Sequence, residues 1–278
     1  MKRLLIVGFG DIAERTQKRL PAQVEVRSIS RRFGADLDRP ETLAPFAGWA
    51  DAVLHTAPPP GAGDSDPRTA HLLEAIERAE IIPTRIVYLS TTGVYGDCGG
   101  ALVDESRVVN PQTARAQRRV DAERRLQSWC AERDVALVIL RVPGIYAADR
   151  LALERLRKAI PVLRDEDDVY TNHIHADDLA EICVRALEDS APAGVYNASD
   201  DSSLKMSEWF DLLADRAGLA RPPRIAREAA AGVISAEMLS YMGESRRLVN
   251  TRLKEVLGVR LAYPTVMEGV PQRVEVPA

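Results

Sequence analysis

Short apolar runs alternate with amphipathic stretches through the first half of the chain. Leu4–Gly8, Val24–Ser28, Ala52–Thr56, Ile86–Leu89 and Ala136–Leu140 are of strand length and read as buried strands. Between them, residues 11–20, 67–79 and 113–132 repeat apolar positions at helical spacing, which predicts helices with one buried face. Strands buried on both faces and alternating with helices predict βαβ units and a parallel sheet with helices on either side.

The rhythm loosens after residue 150. Helical patterns at 151–159, 178–188 and 206–217 are separated by strand-like pieces at Asp168–Ile174 and Gly194–Ala198 and by the Pro222-Pro223 turn. This predicts a smaller C-terminal α/β lobe over 166–278, interleaved with a doubly wound domain over 1–165. No repeat and no low-complexity linker divides them.

Composition narrows the class. Among 278 residues, 46% are apolar and 28% charged, and the net charge is −4, values of an ordinary folded domain rather than of a disordered or membrane chain. No long basic run is present, so nucleic acid is not an expected partner. Cys98, Cys130 and Cys183 include no C-x-x-C pair and read as free thiols in a reducing cytosol. Only the four apolar residues Leu4 to Val7 precede Gly8, too few for a signal peptide's apolar region, so a cytoplasmic location is expected. Just five of the 37 basic residues are Lys, so any single Arg carries less information than usual.

The first strand runs into Gly8-Phe9-Gly10-Asp11-Ile12-Ala13 and then a helix. In such a G-x-G-x-x-A loop the first glycine permits the tight turn. The second lets backbone approach a pyrophosphate, and the small third residue allows close helix–strand packing. Gly8, Gly10, Asp11 and Ile12 are therefore candidate cofactor contacts, with amide groups meeting phosphate at the positive end of a helix dipole. An NAD site places an acid about 20 residues after the glycines. That position holds Ser30, followed by Arg31 and Arg32. A hydroxyl and two guanidinium groups suit a 2′-phosphate, so NADP is expected in preference to NAD.

These residues resemble the extended short-chain dehydrogenase/reductases, the family of nucleotide-sugar epimerases and dehydratases. His55-Thr56-Ala57 is similar to the strand end that passes over the cofactor in that family. The resemblance therefore implies cofactor contacts at Thr56, Ala57 and Pro58 and a Rossmann-type fold. Ser90-Thr91-Thr92-Gly93-Val94-Tyr95-Gly96 resembles the family's S-S/T-x-x-V-Y-G segment, which implies a catalytic hydroxyl at Thr91. Asn172-His173-Ile174-His175-Ala176-Asp177-Asp178 looks like the segment entering the substrate lobe. Glu244-Ser245-Arg246-Arg247-Leu248-Val249-Asn250 resembles the C-terminus of an atypical bacterial epimerase/dehydratase-like branch.

The departure lies where the chemistry should be. The family's pattern is similar to P-x-x-x-Y-x-x-x-K-x-x-x-E, and Pro111 and Glu123 hold that register here. Arg115 then stands where the proton-carrying Tyr belongs and Arg119 where the Lys belongs. Arg119 can keep the implied contact to the nicotinamide ribose. Arg115 cannot be a neutral-pH acid or base, because its pKa lies above about 12. No other tyrosine is followed by Lys four residues on.

Substitutes are sought nearby. Tyr95 is the nearest candidate in sequence for the proton carrier, the alternative being a packed aromatic capping a loop. Thr91 and Thr92 either bind a substrate oxygen or satisfy local backbone. Asn172 and His173 are expected to face the substrate cleft, with His175 a hydrogen-bonded core residue and Asp177 or Asp178 capping the following helix. His173 and His175 lack further placed ligands, so no metal is expected. Asp165-Glu166-Asp167-Asp168 reads as a solvated loop, and Pro58–Asp64 as either a wall over the nicotinamide or a plain connection. The apolar faces at Leu72, Leu73 and Ile76 and at Val120, Leu126, Trp129 and Cys130 fit either sheet burial or a homodimer. The expected activity is that of an oxidoreductase or epimerase on a small hydroxyl- or carbonyl-bearing substrate. The alternative is a non-catalytic NADP-binding redox sensor.

Overall fold

The computed structural model describes residues 1–79 and 81–275. Six parallel strands form one sheet: β1 (Arg3–Val7), β2 (Glu25–Ile29), β3 (Ala52–His55), β4 (Arg85–Thr91), β5 (Ala136–Val142) and β6 (Gly194–Asn197). Their spatial order is β6-β5-β4-β3-β1-β2. The order reverses between β1 and β3, and such a switch point opens a crevice at the carboxyl ends of the strands. Between β2 and β3 the chain forms only 3-10 turns, Arg31–Phe33 and Pro40–Phe46, so β2 is the edge of the sheet.

The period-two geometry of a strand sends alternate side chains to opposite faces, and β1 shows it directly. Leu4 and Ile6 join a core with Ile12 and Ala13 of α1 (Asp11–Gln17) and Leu179, Ile182 and Cys183 of α4 (Ala176–Leu187). Leu5 and Val7 join the opposite core with Leu72, Leu73 and Ile76 of α2 (Pro67–Glu77) and Leu126, Trp129 and Cys130 of α3 (Ala114–Glu132). Leu72, Leu73, Ile76, Leu126, Trp129 and Cys130 are thus buried against this sheet, while Val120 of α3 packs with Val94, Tyr95 and Val103.

A third core builds the lobe, joining Leu153, Leu156 and Val162 with Trp209, Phe210 and Leu213 of α5 (Met206–Ala217) and with Val266 and Val270. The expected helix over 151–159 is short, Leu153–Arg157. The expected strand Asp168–Ile174 is two strands with different partners. Tyr170–Thr171 pairs antiparallel with Leu204–Lys205, and His173–His175 pairs parallel with Gly144–Tyr146. Asn172 is the hinge between them. Its side chain donates to the Arg246 carbonyl at 2.9 Å and accepts from the Leu248 amide at 2.9 Å, which ties the C-terminal segment to the sheet at the point where pairing changes.

No described helix is long and apolar enough to cross a membrane.

Candidate active site

Two clefts meet at the carboxyl end of β4. The first, about 460 Å³, runs over the β1–α1 turn and is lined by Gly8, Gly10, Asp11, Ile12, Ser30, Arg31, Thr56, Ala57, Pro58, Ser90 and Arg119. Gly8 sits at φ +86°, and a Cβ there would stand 2.6 Å from the Ala57 backbone nitrogen, so neither space nor backbone admits a side chain. At Gly10, the residue preceding α1, nothing lies within 4 Å of a Cβ position. That open space, at the end of the helix where amide groups are unpaired, is where a phosphate can approach. Thr56 fixes the turn from the other side by donating to the Gly8 carbonyl at 2.7 Å.

At the far end of this cleft the two expected arginines separate. Arg31 lines the cleft. Arg32 instead pairs with Glu14 at 3.1 Å with its side chain largely exposed, and the Ser30 hydroxyl accepts from the Arg32 amide at 3.3 Å. Two neighbours escaped the sequence reading. Asp36 lines the same end, only six residues beyond Ser30. Arg68, from α2, donates to the Pro58 carbonyl at 3.0 Å and pairs with Asp38 at 2.6 Å. The Pro58–Asp64 segment is thus fastened from α2, and also from α3 where Arg118 bonds the Gly63 carbonyl. A helix register alone does not reveal which loop such an arginine reaches.

Beneath the meeting point lies a buried polar knot. Ser90 of β4 donates to Glu123 of α3, and Glu123 pairs with Arg141 of β5 at 2.8 Å, all three buried. Arg119, one turn earlier on α3, donates to the Tyr88 hydroxyl at 3.0 Å and the Leu89 carbonyl at 2.9 Å while lining the cofactor cleft. The Arg119 guanidinium is therefore held in place by β4.

The second cleft, about 400 Å³, is lined by Thr91, Thr92, Arg115, Asn172, His173 and, from the lobe, by Trp209, Phe210, Tyr241, Glu244 and Arg246. The Thr91 hydroxyl accepts from the Gly93 amide at 3.3 Å. The structure brings Thr91, Thr92, Asn172 and His173 together, but it does not bring Tyr95 to them. Tyr95 is 1% exposed, its hydroxyl donates to Asn197 at 2.8 Å, and the Arg141 guanidinium lies over its ring at 4.7 Å. Burial raises its pKa further. It is a packed aromatic rather than a proton carrier, because the 3-10 turn Thr92–Tyr95 rotates it inward.

His173 lines the cleft but is 5% exposed, with Nδ1 buried and without a partner among the described residues, and stacks on Trp209 at 4.3 Å between centroids. Desolvation pushes its pKa down to about 3, so it stays neutral at ordinary pH. The Asn172 amide is already engaged with the 246–248 backbone. Capping of α4 also differs from expectation. His175 is the capping residue, its Nδ1 accepting from the Asp177 amide at 3.2 Å. Asp178 instead accepts from the Ala262 and Tyr263 amides, and Asp177 pairs with Arg15 and Arg19. Within the acidic run, Asp168 accepts from the Ser207 amide at 2.9 Å and Asp167 pairs with Arg164 at 2.7 Å. Those acids fasten the lobe's own segments.

A parallel sheet with helices on both faces, a glycine turn at its switch point and an open cleft over that turn define a Rossmann-type dinucleotide-binding fold. Residues 12–199 match the model of the NAD dependent epimerase/dehydratase family, and the chain belongs to that family, whose members depend on NAD or NADP. Among solved structures it is similar to a functionally unknown conserved protein from Silicibacter pomeroyi, with 28% identity and a TM-score of 0.77 over 97% of this chain and 96% of that one. It is also similar in fold to RMD from Pseudomonas aeruginosa, solved with NADPH, at 18% identity and a TM-score of 0.74 over 99% and 97% of the two chains. UDP-glucose 4-epimerase from Thermus thermophilus, solved with NAD, is 21% identical with a TM-score of 0.72 over 98% and 97%. No curated protein matches the chain in sequence.

Proposed function

We propose that the chain is an NADP-binding, atypical member of its family, acting in the cytoplasm as an oxidoreductase or epimerase on a small hydroxyl- or carbonyl-bearing substrate. The observation that carries this reading is that two clefts are lined by consecutive residues at the end of β4, Ser90 lining the first and Thr91 and Thr92 the second. Gly8, Gly10, Asp11 and Ile12 would receive the pyrophosphate, Arg31 the 2′-phosphate, and Arg119 the nicotinamide ribose. A bound dinucleotide supplies the hydride acceptor or donor. The chain's own residues position the reacting carbon through the Thr91 and Thr92 hydroxyls and exclude water with the aromatic walls of the second cleft.

The test is oxidation of NADPH across a panel of carbonyl compounds and nucleotide sugars, with cofactor binding measured separately. A second reading, a redox sensor that binds NADP without turnover, is favoured by one observation. Tyr95 is sealed in the core and His173 is held neutral, while the resemblance puts Arg115 where the proton carrier would stand. Tight NADPH binding with no turnover across the panel would select that reading.

Cofactor preference is tested independently. Arg31→Ala is expected to lower NADPH affinity by about tenfold to a hundredfold, the worth of a charge-assisted hydrogen bond to phosphate, and to leave NADH affinity nearly unchanged. Fluorescence titration of both dinucleotides on both proteins measures this. Equal NADPH and NADH affinities in the unmodified chain would remove the preference.

A further inference from the structure

The second cleft holds two guanidinium groups in very different electrostatic states. Arg246 is buried and already neutralised by Glu244 at 2.9 Å, and it donates to the Gly96 carbonyl at 2.8 Å. Arg115 forms no ion pair among the described residues. One of its nitrogens donates to the Ser240 hydroxyl at 3.2 Å, and its guanidinium lies 3.9 Å from the Tyr241 ring centroid. An arginine offers five N–H donors in a rigid fork, so most of this fork is left to face the cleft.

Its setting determines what the fork can take. Arg115 shares the cleft with Thr91 and Thr92 at the end of β4, and the remaining wall is largely apolar: Met206, Trp209, Phe210 and Met238. The ring beneath the guanidinium and the hydroxyl beside it limit its rotamers, which reduces the entropy lost when a planar anion docks. The one acid that lines the cleft, Glu244, is turned to Arg246, so the cleft as a whole carries one uncompensated positive charge beside an apolar surface.

We propose that Arg115 is a substrate anchor that binds a carboxylate, and that the second cleft takes a hydroxy or oxo acid whose apolar part lies against Trp209 and Phe210. The planar carboxylate matches the fork through two parallel hydrogen bonds, and its site beside the Thr91 and Thr92 hydroxyls leaves the neighbouring oxygen of the acid within their reach. The proposal rests on the reading of this cleft as the substrate side of a dinucleotide site.

Binding of pyruvate, phenylpyruvate, lactate and phenyllactate, and of their methyl esters, is measured by calorimetry on the full chain with NADPH present and absent. At least one acid is expected to bind about tenfold to a hundredfold tighter than its ester, the range of a charge-assisted bond. The aromatic acids are expected to exceed pyruvate and lactate. Arg115→Gln should erase the preference for acid over ester, and Arg115→Lys should restore part of it. NADPH titration of the same variants should be unchanged, which shows that they remain folded.

Saturable binding by none of the acids, equal binding of acids and esters, or a preference that survives in Arg115→Gln would overturn the anchor. Phenyl phosphate displacing phenyllactate at a lower concentration than phenyllactate itself requires would overturn the choice of carboxylate. Failure of NADPH to bind while the Arg115-dependent preference for acids persists would overturn the dinucleotide reading and leave the anchor standing.

Discussion

Replacing Glu123 by alanine is expected to cost about 3–5 kcal/mol of folding stability, the usual penalty for leaving a buried charge without its partner. Glu123 and Arg141 are 3% and 5% exposed and come from α3 and β5, so the Arg141 guanidinium cannot turn to water when the carboxylate is removed. One Arg141 nitrogen, Nη1, already lacks a hydrogen-bond partner among the described residues, which leaves little slack for rearrangement. Ser90 would lose its acceptor as well, and that residue lines the cofactor cleft. Urea denaturation of both proteins measures the difference. The paired replacement Glu123→Leu with Arg141→Met should recover most of the loss, because an apolar pair of similar volume avoids the desolvation of two ions. A single-variant loss below about 1 kcal/mol, the scale of an exposed ion pair, would show that the pair is not buried in this way.

A pH dependence of comparable size is expected from Asp200, whose carboxyl is 3% exposed. One oxygen accepts from the Ser202 amide at 2.9 Å while the other is buried without a partner among the described residues. Desolvation, with the nearby Asp201 and Asp178 adding to it, pushes its pKa from 3.8 up to about 7. Between those values the fold retains a proton that the unfolded chain releases, so stability falls as pH rises through this window, and above it this carboxyl's contribution is gone. The whole shift is worth up to about 4 kcal/mol. Burial acts in the opposite sense on His55 and His173, each held down to about 3, since the unfolded chain takes up protons below about 6.5 and stability falls there as pH drops. Subtracting the profile of Asp200→Asn from that of the unmodified protein isolates the carboxyl. The variant should be the more stable of the two at pH 8 and lose the advantage toward pH 4. Parallel profiles would show that Asp200 ionises normally.

The strands and long helices of the first half were legible because each carries a period that only one geometry satisfies. Leu4 and Ile6 go to one core and Leu5 and Val7 to the other, and β1, β3 and β4 read as solid apolar runs because helices cover both faces. The helix α3 was legible too, from the helical spacing of its apolar residues over 113–132. Less of the lobe could be read, because its strands are two or three residues long and have little periodicity. Asn172 splits what reads as one strand through hydrogen bonds to residues more than 70 positions away.

The sequence by itself determined the fold class and the glycine turn that follows the first strand, both of which are local patterns. Only the tertiary structure decided the charge and accessibility of the individual groups. Four residues separate Thr91 from Tyr95, but a 3-10 turn sends the first to the cleft and the second into the core against Asn197. Arg31 and Arg32 are adjacent, yet Glu14 draws one of them away. Arg246 and Arg115 share a cleft, and a buried carboxylate two residues from the first leaves only the second with its charge unpaired. In each case the outcome depends on a partner brought close by packing, and the strength of a charge or a hydrogen bond is set by that partner and by the water excluded with it.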